Sequence, residues 1–540
     1  GNANVTLQGT GSIAGTGSLN KDGEGALNLK LENSYTGASV IHDGVVNFQS
    51  IADGGKPSAL GASIEYAQNW IWDGGKWNYT GSTASTNRCA TLYKETALGV
   101  DNSAAILNLN GAFTGAGNFV ADGNGIVRPG SAKFFSYTGN TVVKSGTLQL
   151  EYIKKMTAKS HVYLGEDGNT SPKLVMAGGN FVTKSSNDQY LNYEFPIEVL
   201  ENTYSTFTIQ RNCSLKCKVT GSGTLEYKIP FVREYVSGDW SGFYGTLVAN
   251  GVNSDKDGSQ LMLYNSGIPN ASINLKGNAR VTHWNPNVTI KLGGLSGDKG
   301  TYLGGTTKKT TGQTVTWQVG NANTNETFNG VIDRRCSASG YNCNVNIVKE
   351  GSGYWRLTGS NTYNGTTIVT GGRLIIDGSN QGTGLMTIKE NGSLSGKGTI
   401  AGNVVVSGSV QADLSASGSC KPLTIKGKLT ANNATLVINM EDVTGTIADD
   451  TEIKVFNLAS AIQGTGFTDI QPATPSATQL WDTSLLATKG IIKVVSNIAN
   501  GISTPSANNT SSSAIYDLTG KKTSSPKGLY IKDGKKHIAR

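Results

Sequence analysis

Apolar and polar residues alternate along this chain in short runs, and glycine, asparagine, threonine and aspartate separate the runs. The stretch GSNTYNGTTIVTGGRLIIDG, from Gly359 to Gly378, shows the pattern clearly. A period of two is typical of half-buried strands, and glycine readily adopts the positive φ of tight turns. No segment shows convincing helical periodicity over ten or more residues. The pattern predicts an all-β protein built from short strands.

The same phrase recurs along the chain without gaps, at offsets of 102 and 328 residues from its first copy. The matching positions are Gly23, Tyr35, Gly37, Val40, Gly44 and Phe48; Gly125, Tyr137, Gly139, Val142, Gly146 and Leu150; and Gly351, Tyr363, Gly365, Ile368, Gly372 and Ile376. A weaker fourth copy centres on Phe243, Gly245 and Leu247. We expect the tyrosine to pack at a corner, the glycines to turn the chain, and Ile368, Leu374 and Ile376 to fill the core.

Repeats with variable insertions favour a solenoid, because a β-sandwich closes within roughly 100–250 residues. We therefore expect a parallel β-helix of about twenty coils, on the order of 100 Å long. Its repeats are expected over residues 1–420, and a β-rich cap over 421–496. A Ser/Asn/Thr-rich linker at 497–513 then leads to a short terminal tail at 514–540.

The residues ETFNGVID, NIVKEGSGYWRLTGSNTYNGTTIVTGGRLIIDGS and NGSLSGKGTIAGNVVVSGSV, between about Thr327 and Val410, resemble the autotransporter-associated β-strand repeat. This resemblance implies a right-handed parallel β-helix, passenger-like and exposed on a bacterial surface. The final AIYDLTGKKTSSPKGLYIKDGKKHIAR is similar to the sorting tails of Bacteroidetes type IX secretion substrates. That similarity implies that export machinery recognises the tail, and that the protein is extracellular or on the outer cell surface.

Composition narrows the class of protein. The chain contains 71 glycines and 12 prolines, with 37% hydrophobic and 16% charged residues, and so retains enough apolar side chains for a thin, extended core. The net charge of +8 includes no Lys/Arg run beyond the terminal GKKHIAR, so no nucleic-acid partner is expected. No stretch of 18 apolar residues exists, and no transmembrane helix is expected.

The aromatic stretch NWIWDGGKWNY has two interpretations. As a hairpin turning at its glycine pair, it would place aromatic rings on one face, as a platform for sugar rings. The candidate sugar-binding residues are Trp70, Trp72, Trp77 and Tyr79. A shift of 104 residues instead aligns the tryptophans with Leu174, Met176 and Phe181, which favours core positions. Tyr79 aligns with Thr183, so Tyr79 is the member expected to be exposed.

Other candidate chemistry is sparse. Asp255 and Asp257 resemble the start of a Ca²⁺ loop, but a tyrosine occupies the position of the closing glutamate, which favours a polar turn. No other cofactor is expected. Cys336 and Cys343 flank the turn-like SASGYN, so a disulfide there would suit an oxidising compartment. Asp333 in VIDRRC is interpreted as a turn or rim charge.

The sequence thus indicates a secreted or cell-surface protein of structural or adhesin type, without catalytic activity. A glycan or another surface ligand is the expected partner, and self-association is left open. The alternative is a β-helix that binds or degrades polysaccharides, as a lyase or a hydrolase. Such an enzyme needs paired carboxylates, or carboxylates with Ca²⁺ and a basic residue. Acidic side chains clustered with Arg or Lys in a lateral groove would favour that alternative.

Overall fold

The computed structural model describes residues 1–150, 161–162, 164, 173–183, 191–209, 213–254, 258–264, 267–306, 312–335, 343–497, 515–517, 522–524, 528–532 and 535–539. It is all-β, with 50% strand and 2% helix, and forms a parallel β-solenoid of about 18 turns. At a spacing of about 4.8 Å per coil, the stack is roughly 85 Å long. The predicted fold class is confirmed.

Most coils contribute one strand to each of three faces, and strands of successive coils pair in parallel. The first face contains Val5–Leu7, Ala26–Leu29, Val45–Phe48, Lys76–Tyr79, Thr96–Val100, Phe119–Ala121, Thr141–Val143, Leu174–Met176, Ile197–Val199, Val219–Gly221, Gly242–Phe243, Thr314–Val319, Asn344–Lys349, Thr367–Val369, Met386–Ile388, Val404–Val406 and Leu429–Ala431. Two long strands, Gly267–Gly277 and Val288–Gly297, run from the first face into the second.

The second face contains Ala84–Thr86, Ile106–Leu109, Ile126–Pro129, Thr147–Leu150, Asn180–Thr183, Tyr204–Ile209, Thr224–Ile229, Thr246–Gly251, Glu326–Phe328, Tyr354–Leu357, Gly372–Ile376, Gly392–Ser395, Ser409–Asp413, Ala434–Asn439 and Phe467–Gln471. The third face consists of three successive sheets. Their strands are Leu19–Lys21, Ser39–Ile41, Trp70–Trp72, Ala90–Leu92, Phe113–Gly115 and Ser136–Tyr137; His161–Val162, Leu191–Tyr193, Cys213–Leu215, Arg233–Val236, Ser259–Leu263, Ala279–His283, Tyr302–Thr306 and Val331–Ile332; and Ser360–Asn361, Ser379–Asn380, Thr399–Ile400, Leu423–Ile425 and Phe456–Leu458.

Helical structure among the described residues is limited to two 3₁₀ turns, Ala67–Asn69 and Ala132–Phe135, and one short α-helix, Leu486–Lys489. An antiparallel sheet contains Glu452–Lys454, Gln479–Asp482 and Ile491–Ser496, and its first strand precedes the last two coil strands in sequence. A second antiparallel sheet in the tail contains Ile515–Tyr516, Lys522–Thr523, Gly528–Lys532 and Lys535–Ala539.

The parallel coils extend beyond residue 420, where the sequence was expected to change to a cap. Leu429–Ala431 pairs in parallel with Val404–Val406, and Ala434–Asn439 pairs with Ser409–Asp413. Phe456–Leu458 and Phe467–Gln471 still pair in parallel with Leu423–Ile425 and Ala434–Asn439, and the antiparallel pairing begins within the same segment, at Glu452–Lys454. The boundary expected at 420 therefore divides coils that belong to one stack.

A buried tyrosine bonded to a hydroxyl four residues later defines each strong copy of the repeat. The phenol oxygens of Tyr35, Tyr137 and Tyr363 lie 2.7, 2.6 and 2.7 Å from the hydroxyl oxygens of Ser39, Thr141 and Thr367. All three tyrosines are buried, as expected for a corner of the core. The phenol can leave water because a side chain of its own repeat satisfies it.

One core expectation is wrong. Ile368 is only partly buried, whereas Thr367 and Val369 on either side of it are buried. Side chains alternate along a strand, so a hydroxyl that faces the tyrosine inside turns the next residue outward. Leu374 and Ile376 fill the core as expected.

Glycines allow the coils to approach each other at the repeat corners. A Cβ built on Gly37, Gly139 or Gly245 would lie 2.3, 2.2 or 2.0 Å from a carbonyl oxygen of the preceding coil. No side chain fits at that distance, so the glycine is required by stacking. The turn glycine of the clearest copy, Gly372, has a φ of 57°, as predicted.

Candidate ligand-binding grooves

The aromatic stretch at residues 70–79 lies inside the solenoid. Its four candidate residues, each at most 3% exposed, are Trp70, Trp72, Trp77 and Tyr79. No ring face is therefore open to a sugar, and the platform interpretation is wrong. The stretch is not a hairpin either, because its two strands belong to the third and first faces. Tyr79, the member expected outside, is buried and donates its hydroxyl to the Ser82 carbonyl at 2.6 Å.

The other candidate residues fall partly outside the described chain. Asp255 and Asp257 lie there, so the Ca²⁺ prediction stays a prediction. Cys336 lies there as well, and its disulfide with the buried Cys343 likewise stays a prediction. Within the described ranges, no group of three or more His, Cys, Asp or Glu side chains is arranged to hold a metal ion.

Asp333 is a buried ion-pair centre, and its interpretation as a turn or rim charge is wrong. Its carboxylate lies 3.4 Å from Arg280 and 3.1 Å from Arg335, and the Asp333 and Arg280 side chains are each 6% exposed. Burial alone would raise the pKa of Asp333, but the Arg335 hydrogen bond and the two arginine charges outweigh it and lower this pKa. The Arg280 guanidinium also lies 4.0 Å from the centre of the Tyr302 ring. The buried Arg280–Asp333 pair holds neighbouring coils together, while the Arg335 side chain is 44% exposed.

A polar groove of about 430 Å³ lies where the first face meets the second. We call it the Tyr244 groove; it is lined by Ser222, Tyr244, Gly245, Thr246, Asn270, Ser272, Asn321, Ala322 and Thr324. None of these residues is charged. The Tyr244 side chain is 66% exposed and stands at the groove, so its ring can contact a ligand.

Hydrogen bonds within and between coils fix the polar side chains of the Tyr244 groove. Ser272 and Thr324 donate their hydroxyls to Oε1 of Glu326, at 2.6 and 2.9 Å. Nδ2 of Asn321 donates to Oδ1 of Asn270 at 2.9 Å, and Nδ2 of Asn270 donates to a backbone carbonyl at 2.8 Å. Side chains held in this way are pre-organised, which lowers the entropy cost of binding a ligand.

The repeat itself explains why Tyr244 is exposed. The residue after the buried aromatic is an exposed threonine in two strong copies, Thr36 and Thr138, and is Tyr244 in the fourth. The backbone N–H groups of Thr36, Thr138 and Tyr244 donate to Gly15, Gly115 and Gly221, at 2.8, 2.9 and 2.8 Å. Those three glycines have φ of 102°, 102° and 99°, so the corner geometry is the same. Tyr244 is thus an aromatic residue at a position that points to solvent.

A second groove, of about 1020 Å³, lies further along the second face. Its floor is a row of outward side chains on successive coils, in which Tyr354, Arg373, Ser393 and Ser409 stand in register. We call it the Arg373 groove. Asn325 lines it, whereas the preceding residue, Thr324, lines the Tyr244 groove. The two grooves therefore adjoin on one flank of the solenoid.

A charged recess of about 510 Å³ adjoins the Arg373 groove and shares Arg373 with it. Its charged residues are Arg356, Arg373, Lys397 and Lys421, with Asp377, Asp413 and Asp442. Arg356 pairs with Asp377 at 2.5 Å, and Asp413 accepts hydrogen bonds from Gln411 and Asn439 at 2.6 and 3.0 Å. Arg373 makes no ion pair with any residue that the structure describes.

Sequence reasoning missed both grooves. Tyr244 had a detectable signal, because the weak fourth repeat copy aligns it with exposed threonines. The Arg373 groove had none, because its residues come from coils separated by segments of unequal length. No helix among the described residues has the length and apolar character needed to span a membrane.

Comparison with protein-family models supports the repeat alignment. Residues 19–47, 134–150 and 347–376 match the passenger-associated-transport-repeat family. These are the three strong copies found by their tyrosine and glycine spacing. The matched residues cover less than half of the chain, and both grooves extend into coils beyond them.

Two curated proteins are similar to this chain. One is the adhesin BmaC autotransporter of Brucella suis biovar 1 (strain 1330), 27% identical over 433 residues. That alignment covers 75% of this chain and 12% of the adhesin. The other is the uncharacterized protein YuaQ of Escherichia coli (strain K12), 37% identical over 109 residues, or 19% of this chain and 7% of that protein. The chain thus carries passenger-associated-transport repeats in a β-solenoid that is similar in sequence to part of an autotransporter adhesin.

Proposed function

We propose that this protein is an adhesin-type β-solenoid that acts on the bacterial surface or after release from it. The observation that carries the proposal is the similarity over 433 residues to an autotransporter adhesin. That similarity extends over most of a stack whose strands pair coil to coil. A stack of this kind resists local unfolding, because each coil is held by both neighbours. It can therefore present its flank at a distance from the cell.

The proposal is tested in two steps. Antibodies against the purified chain should label intact cells of the producing bacterium, or detect the protein in its culture medium. Microspheres coated with the chain should then adhere to host cells or matrix more than spheres coated with the heat-denatured chain. Labelling that requires permeabilised cells would contradict the surface location, and equal adherence of both sphere types would contradict the adhesin role.

Export through residues 514–540 is a separate part of this proposal. The similarity of this tail to type IX sorting tails supports it. A variant that lacks residues 514–540 is therefore expected to remain inside the cell. Fractionation of cells producing either form measures this directly. Equal export of the two forms would remove the tail from the mechanism and leave the adhesin proposal standing.

A second candidate function is activity on polysaccharides at the Arg373 groove. The observation that favours it is the recess where Asp413 and Asp442 lie with Arg373 and two lysines. A lyase needs a cation to hold an acidic sugar, and a base to take a proton. Purified protein should then release unsaturated products from an acidic polysaccharide, and Arg373→Ala should lose that activity. If acidic and neutral polysaccharides all stay intact, this second candidate fails.

A further inference from the structure

We infer that the Tyr244 groove binds uncharged sugar residues of a glycan. The inference deepens the proposed adhesin function and rests on it for its biological role, because it names the ligand class that the solenoid flank would recognise. It assigns the contact to Tyr244, rather than to the buried tryptophans that the sequence offered.

Tyr244 exposes an aromatic ring at the groove. A sugar ring has an apolar C–H face, and an aromatic π-face packs against such a surface. Tyr244 is 66% exposed, although its backbone is fixed by the N–H bond to Gly221 at 2.8 Å. The backbone that carries the ring is thus fixed at one place on the flank, while the residue stays largely in solvent. The buried rings at residues 70–79 have no such open face.

The wall of the Tyr244 groove is polar and carries no charged residue. Hydroxyl and carboxamide groups on Thr246, Asn270 and Asn321 offer donors and acceptors of the kind that sugar hydroxyls need. Glu326 is not part of the lining, but its Oε1 accepts from Ser272 and Thr324 and so orients these two hydroxyls at the groove wall. A groove lining without a cation does not attract a carboxylated or sulfated sugar.

The Tyr244 groove continues along the flank of the solenoid into a second groove. The Tyr244 groove adjoins the Arg373 groove at Thr324 and Asn325, so the two follow one flank across successive coils. A glycan chain extended along the stack could contact Tyr244 and continue over polar side chains on neighbouring coils. We therefore expect oligosaccharides to bind more tightly than monosaccharides.

The test is calorimetry of the purified full chain with neutral oligosaccharides chosen from a glycan array. Tyr244→Ala should weaken binding about tenfold, a loss of roughly 1.4 kcal/mol, while Tyr244→Phe keeps the ring and should bind normally. The matched control is Tyr93→Ala, because Tyr93 is 62% exposed and lines neither groove. Circular dichroism should show that all variants remain folded.

Three outcomes would overturn the inference. The array could show no neutral glycan bound, Tyr244→Ala could bind as well as the unaltered chain, or binding could be confined to acidic glycans and lost in Arg373→Ala. These results are distinct from failure of the adhesin proposal. Adherence by microspheres without neutral-sugar binding would overturn the Tyr244 assignment and retain the adhesin.

Discussion

The phenol oxygen of Tyr363 accepts a hydrogen bond from Nδ2 of Asn380, at 2.9 Å, and Asn380 belongs to the next coil. Because its oxygen accepts that bond, the phenol can donate its own proton to Thr367 Oγ1, 2.7 Å away. One buried hydroxyl therefore connects the corner of its repeat to the following strand and links two coils.

Replacing Tyr363 with phenylalanine should destabilise these coils by about 2 kcal/mol, because two partners in the core lose their hydrogen bond. A solenoid need not unfold in a single step, so amide hydrogen exchange in coils 344–395 is the suitable measurement. Tyr93→Phe is the control, since the Tyr93 ring is largely in solvent. Equal protection in the two variants would contradict a structural role for the Tyr363 hydroxyl.

Alkaline pH should destabilise the folded repeats. Burial raises the pKa of Tyr35 and Tyr363 from 10.0 to about 12, although hydrogen bonds with Ser39, and with Thr367 and Asn380, partly offset it. The folded state therefore binds these protons more tightly than the unfolded state. The stability that they contribute is complete below pH 10 and is lost as pH rises from 10 to about 12.

Phenolate absorbance should accordingly include a late stage, between pH 10 and about 12, in which Tyr35 and Tyr363 ionise as the coils open. Tyr363→Phe should reduce this late stage. A single stage near pH 10 would show that Tyr35 and Tyr363 are open to solvent.

Two buried tryptophans allow the value of one indole hydrogen bond to be measured. Nε1 of Trp355 donates to the Leu295 carbonyl at 2.9 Å, whereas Nε1 of Trp72 has no acceptor among the described residues. Tryptophan-to-phenylalanine substitution removes the same atoms at both sites. Trp355→Phe should therefore cost about 1 kcal/mol more than Trp72→Phe in denaturant unfolding. Equal costs would mean that the Leu295 bond adds nothing.

Coil spacing should depend on the corner glycines. The Cβ of alanine at Gly139 would lie 2.2 Å from the Gly117 carbonyl oxygen, so Gly139→Ala must push two coils apart, at a cost of about 1–3 kcal/mol. Gly11→Ala meets no atom within 4 Å and should change stability by less than about 0.5 kcal/mol. Thermal unfolding of both variants checks this. Matching melting curves would disprove the stacking requirement.

Much of the fold could be predicted because the residues that form the strands and corners of each repeat are close together in the sequence. Alternation marks the strands, and the shared tyrosine and glycines mark the corners. The error at Ile368 shows the limit of that reasoning, since a register displaced by one residue exchanges inside and outside. At residues 70–79 the alternation showed which rings share a side within each strand, but it did not show that the two strands lie on different faces or that both sides close on the core.

The functional surfaces were less predictable because they form between coils. The sequence predicted Asp333 to be a turn or rim charge, because its partner Arg280 is 53 residues away in sequence and is brought close only by the fold. The Arg373 groove likewise depends on side chains from separate coils. Tyr244 could have been found by asking which repeat departs from the others at an exposed position, rather than which stretch has the most aromatic residues.

The parallel pairing of coils also has a mechanical consequence. Leu107 pairs with Val127, twenty residues further along the chain, so one coil of that stack stores about 70 Å of extended chain in about 4.8 Å of height. Force applied between the ends would peel coils one at a time, each lengthening the tether more than tenfold over its folded height. Under fluid flow, such a stalk would lengthen in steps as single coils unfold. Each step would lower the force on any ligand that the remaining folded coils bind.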